Sequence, residues 1–156
     1  MVKLNNHFSY FMHQAIKSFI SKQPPDRQDI LSKLHEIILE NDSTVVAEID
    51  LMMGKEMIIY KSGGMMKFAL ASVKGYMSLH VLPMYMSKDI FGKYKALLPK
   101  SKFQKGCINF ENAEVFPLQI AQQLIIECSP IDLVAIREAQ LKEKKLKLKN
   151  NAPHKR

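Results

Sequence analysis

The chain has 156 residues, 47% of them apolar, and carries a formal charge of +8. That length fits one domain with a genuine core, and the apolar runs are only a few residues long, far short of the ~20 that a membrane-spanning helix requires. The opening MVKLNNHFSYFMHQAIKSFI has neither a continuous apolar segment nor a small-residue cleavage site, so no secretory leader is expected.

Two cysteines, Cys107 and Cys128, lie outside any C-x-x-C spacing. They predict reduced thiols and a cytoplasmic setting. The charge is regional. Residues 26–56 carry eight acids against three bases, and residues 57–105 carry nine lysines against Asp89 alone. Residues 137–156 add eight bases and two acids, so part of the excess belongs to a tail.

In chain order, Phe8, Phe11, Met12, Ala15, Ile16, Phe19 and Ile20 recur at helical spacing and predict an amphipathic helix. Its polar side is not rich in Lys or Arg, so it should dock on the body of the domain rather than on a membrane. Pro24-Pro25 breaks the chain and opens a second helix, with Asp26 and Asp29 near its start and Ile30, Leu34, Ile37 and Ile38 on its buried face. Val45, Ala47, Ile49 and Leu51 alternate with Val46, Glu48 and Asp50, marking a strand with one wet face. Met57 to Lys61 is a second strand, and Ser62-Gly63-Gly64 is the turn after it.

The segment from Met65 to Pro83 reads as a hairpin with a two-residue turn at Lys74-Gly75. Val73 should then face Tyr76, Ala71 face Ser78, and Ala69 face His80. Phe68, Leu70, Met77, Leu79 and Val81 form its core face. Lys67, Ala69, Ala71, Ser78 and His80 form the other face, small and polar enough to floor a groove. Ser87 is suited to cap a third helix running to about Leu98. Phe103 to Phe110 reads as one further strand, with Gly106 permitting a close approach. Pro117 opens a fourth helix, and Ser129-Pro130-Ile131-Asp132 starts a fifth. That last helix should fray into KEKKLKLKNNAPHKR. The fold class is α+β, a single antiparallel sheet of about five strands with helices packed mainly on one face. Residues 1–20 form an N-terminal helical extension, 21–141 the domain, and 142–156 a basic, disordered tail.

No chemical constellation stands out. His80 projects from the small-residue face and is the residue best placed for a ligand. Lys105 and Cys107 fall on one face of the expected strand, yet no general base or third member accompanies them, so no catalytic residue is assigned. Eight of the ten methionines lie between residues 52 and 86, where they suit core filling and groove lining. The five histidines form no ligand motif. Lysines interleave with Phe91, Tyr94 and Phe103, but only one Arg precedes residue 137 and no reader motif is present, so no specific nucleic-acid partner is expected.

From Ala15 to about Arg137 the order of features resembles the YdhG-like family. The residues that carry this are FISKQPPDRQDILSKLHEII, VVAEIDL, IIYKSGGMMKFALASVKGYMSLHVLP, FQKGCINF and PLQIAQQLI. Where many relatives have Trp-Gly-Met-Pro-x-Tyr before the hairpin, this chain keeps Tyr60 and lacks the Trp and Pro. The resemblance implies a helix-flanked antiparallel sheet in a bacterial cytosol, without established catalysis. Because some describe the family as frataxin-like iron chaperones, it also implies iron on acidic side chains of the early helix and first strand, here Asp26, Asp29, Glu36, Glu40, Asp42, Glu48 and Asp50.

The leading expectation is a non-enzymatic domain without a resident cofactor. It would receive a small molecule or protein partner through ligand-binding candidates Tyr60, Lys67, His80 and Lys105. Weak iron carriage is the second reading, and a homodimer formed through the Phe-rich N-terminal helix is the third.

Overall fold

The computed structural model describes residues 2–153, with side chains from Met12 onward. Phe8 and Phe11 of the apolar stripe therefore lie outside the described side chains. Helix α1 (Val2–Ser21) nonetheless buries Ile16, Phe19 and Ile20 in the main core, which makes its second half integral to the domain. Helix α2 (Pro25–Asn41) starts at the proline pair and buries Ile30, Leu31, Leu34, His35 and Ile38.

Strands β1 (Val46–Met52), β2 (Lys55–Ser62), β3 (Met65–Val73) and β4 (Tyr76–Val81) follow as an antiparallel meander. The β3–β4 register is the expected one, with Val73 opposite Tyr76, Ala71 opposite Ser78 and Ala69 opposite His80. Gly75 supplies the left-handed φ of 94° that this tight turn demands. The turn is also tied down from the far side. Arg27, one turn into α2, donates from Nη1 to Ser72 Oγ at 2.8 Å and to the carbonyls of Val73 and Tyr76.

A short helix α3 (Leu82–Met86) then precedes α4 (Lys88–Leu97), whose Ser87 cap accepts from the Ile90 N–H. The next segment departs from the expectation. FQKGCINF is not one strand but a second tight hairpin, β5 (Lys102–Gln104) and β6 (Cys107–Phe110), reversing at Lys105-Gly106. The sheet accordingly has six strands rather than five, in the order β1-β2-β3-β4-β6-β5. Gly106 does permit a close approach: a Cβ there would sit 3.0 Å from Tyr85 Cβ, and its carbonyl accepts from Val81 N–H.

Helices α5 (Leu118–Cys128) and α6 (Leu133–Asn150) complete the chain. The fraying expected after residue 141 gives way to helix as far as Asn150. Asp132 caps α6 by accepting from the Ala135 N–H at 3.0 Å, and a Glu143–Lys147 pair supports its later turns. Leucine and lysine are good helix formers even with nothing to pack on, and residues 137–150 are all exposed.

One face of the sheet carries the core. Phe68, Leu70, Met77, Leu79, Val81 and Ile108 are fully buried in one cluster with residues of α1, α2, α3, α4 and α5. The expectation of helices on one face matches this arrangement.

Candidate functional site

Strand alternation sends the intervening residues to the opposite face. The registers line them up in rows across the sheet. Met57, Ala71, Ser78, Asn109 and Lys102 form one row, and Ile59, Ala69, His80, Cys107 and Gln104 form the next. Met57, Ile59, Ala69 and Ala71 make a small second apolar cluster, with Met52 and Met66 against it. Two alanines side by side in the centre leave a depression. A cavity of about 330 Å³ occupies it, floored by Ala71 and Met57 and walled by Ser78, His80, Cys107 and Asn109.

The polar wall is internally bonded. Ser78 Oγ donates to Asn109 Oδ1 at 2.7 Å, and Asn109 Nδ2 donates to Gln104 Oε1 at 3.2 Å. The Cys107 sulfur lies 2.9 Å from His80 Nδ1. Burial lowers the His80 pKa, because the imidazolium loses solvation there. Burial also raises the Cys107 thiol, an effect partly offset by a hydrogen bond to Ser78. At neutral pH the pair is thus a thiol beside a neutral imidazole.

An adjoining hollow of about 310 Å³ shares Tyr76, Gln104 and Asn109 with the cavity and adds Lys100, Lys102 and one acid, Glu111, for a net positive lining. Among the described residues, neither these two lysines nor Lys55 at the cavity's edge forms an ion pair, whereas Lys33, Lys61, Lys67 and Lys93 all do. The open face therefore offers unpaired positive charge near its hairpin-tip end.

Of the four residues picked from the sequence, only His80 lines this cavity. Tyr60 faces the other way. It is fully buried in the helix-side core, its hydroxyl 2.7 Å from His35 Nδ1. Lys67 is corrected by a bulge. Tyr60 pairs with Phe68 but Lys61 pairs with Met66, so Lys67 is the extra residue and turns through the sheet. There it forms a buried ion pair with Asp42 at 2.7 Å and donates to the Ser129 carbonyl at 2.8 Å. Asp42 Oδ2 has no other hydrogen-bond partner, while its Oδ1 accepts from Thr44 N–H and Oγ. Lys105 is corrected by the unforeseen turn. It is exposed at the β5–β6 reversal with a left-handed φ of 50° and does not share a strand face with Cys107.

Sequence reasoning missed the Cys107–His80 pair. It needed the neighbour relation of β4 and β6, which the extra turn at Lys105-Gly106 makes possible. The only available signal was the KG dipeptide, the same one read as a turn at Lys74-Gly75. Among the described residues no three His, Cys, Asp or Glu side chains converge as a metal site. Asp26, Asp29, Glu36 and Glu40 do not gather, and Asp29 pairs with Lys33 instead.

No described helix is long and apolar enough to cross a membrane. Compared with models of known families, with curated proteins and with solved structures, the chain matches none of them.

Proposed function

We propose that the chain is a non-enzymatic binding domain whose open sheet face takes a small molecule with an apolar body and an anionic, hydrogen-bonding head. The observation that carries this is the cavity itself. It combines an alanine and methionine floor with a wall of Ser78, His80, Asn109 and Cys107, and is about the size of small-ligand pockets. Methionine floors accommodate varied shapes. Among the described residues Lys55 is the only formally charged one in the lining, which favours a negative partner. The YdhG-like resemblance belongs to the same proposal, since an antiparallel sheet with helices on one face is the architecture that resemblance implies.

A screen of small organic acids, followed through backbone amide shifts, tests the reading. Binding should move residues 69–80 and 104–109 together. Hits whose shifts scatter over the helices, or an empty screen, overturn it.

A further inference from the structure

The cavity wall holds a nucleophile and a base in contact. Cys107 is half-buried at the cavity edge and His80 Nδ1 stands 2.9 Å from its sulfur, within the reach that proton transfer requires. His80 faces away from the main core, and its row neighbours Ala69 and Ile59 belong to the second apolar cluster. The other cysteine is a control within the same chain, because Cys128 is fully buried on α5 with its pKa pushed up to about 12.

We propose that Cys107, with His80 as its base, is a nucleophile that captures conjugated carbonyl compounds entering the open-face cavity. This rests on the reading of that cavity as a ligand site, but not on any non-covalent ligand being found for it. In the tautomer with its proton on Nε2, His80 accepts the thiol hydrogen at Nδ1. The Sγ–C bond forms at the β-carbon while the C=C π pair shifts to the α-carbon. The thiol proton passes to Nδ1 and then to the α-carbon, so the imidazole returns to neutral and nothing leaves. The step is stoichiometric addition, one adduct for each chain.

The surroundings suit this class. A soft sulfur favours a soft carbon electrophile, and addition needs neither a leaving group nor an oxyanion hole. The amides of Asn109 and Gln104 and the Ser78 hydroxyl stand on the wall where a carbonyl oxygen would rest. The methionine and alanine floor receives the hydrocarbon part. Of the other titratable groups in the lining, Lys55 and Tyr76 stand at the hairpin-tip end, away from the pair; Lys105, outside the lining, is exposed on the turn near Cys107.

Acrylamide, a minimal conjugated carbonyl, serves as the probe, with adducts counted by intact-protein mass and located by peptide mapping. One adduct at Cys107 and none at Cys128 is expected, and none at all in Cys107→Ser. At pH 7, His80→Gln should slow the addition by at least about tenfold, the lower end of general-base effects. Its rate should then fall with pH as a simple thiolate does, while the parent keeps reacting until His80 protonates. A His80→Gln variant as fast as the parent with the same pH profile overturns the proposal. The unmodified protein gives a second reading should that variant misfold. A proton in flight makes the reaction slower in D2O, and an equal or faster rate there overturns the proposal as well. His80-dependent labelling with an empty organic-acid screen would leave this inference standing and remove the non-covalent one. Screen hits without such labelling would do the reverse.

Discussion

The two faces of the sheet share every strand and differ in how they are closed. On the helix side Phe68, Leu70, Met77 and Leu79 are fully buried together with residues of five helices, and the polar groups admitted there are paired off: Lys67 with Asp42, Tyr60 with His35. On the other side, among the residues between them in sequence, Ala71, Ser78 and His80 line a cavity, and Ala69 belongs to the small apolar cluster beside it. The first face spends its residues on stability. The second leaves space, neutral hydrogen-bonding groups and a thiol within reach of solutes. Substitutions on the two faces should therefore separate cleanly, stability on one and binding on the other.

The largest effect belongs to Lys67. It ties the β3 bulge to the C-terminal ends of α2 and α5 through Asp42 and the Ser129 carbonyl. Removing one partner of a buried pair strands the other charge without solvent. Lys67→Ala should cost about 3–5 kcal/mol in urea unfolding. The double variant Lys67→Met with Asp42→Leu should recover much of that loss, because no charge is then left buried. A loss under about 1 kcal/mol for the single variant would mean the pair is solvated.

Leu70→Ala comes next, at about 2–5 kcal/mol, because the side chain is fully enclosed and the cavity left behind cannot collapse against strands. Tyr60→Phe follows at about 1–3 kcal/mol, since it leaves His35 Nδ1 buried without its partner. The same His35 sets a pH dependence. Burial first, and the nearby His13 second, lower its folded pKa to about 4 from 6.5. The unfolded chain then binds more protons between those values. Its contribution to stability is full above about pH 6.5 and is lost as the pH falls toward 4. His35→Phe should flatten that part of the stability profile. An unchanged slope would place the acid sensitivity elsewhere.

How much of this was legible in the sequence depended on the range of the interaction. The hairpin register followed from strand alternation and one KG turn, both local, and it separates the two faces. Lys67 was misplaced because a bulge moves one residue across a sheet without any mark in the alternation: the FALAS run is regular, and the extra residue just before it is visible only in the pairing with β2. The His80–Cys107 contact links residues 27 apart through strands whose adjacency no local pattern encodes. The last helix lacks an apolar face, and on that pattern alone it is expected to fray. Capping at Asp132 and the intrinsic preference of Leu and Lys suffice to extend it. Short-range physics was readable, and pairing between distant strands was not.

The smallest stability effect is the most telling one for the open face. Ala71 is 2% exposed, as enclosed by that measure as a core residue, yet it lines a cavity and belongs to the second apolar cluster rather than the main core. A leucine there extends into vacant space between Met57 and Ser78, so it displaces no packed atoms. Its added methyl groups are partly covered by the methionines. Ala71→Leu should thus leave unfolding within about 0.5 kcal/mol of the parent, as for a surface change, while abolishing the amide shifts produced by any ligand of the cavity. A cost comparable to Leu70→Ala would mean that this face is closed core in solution, and the distinction between the two sides would fail at its floor.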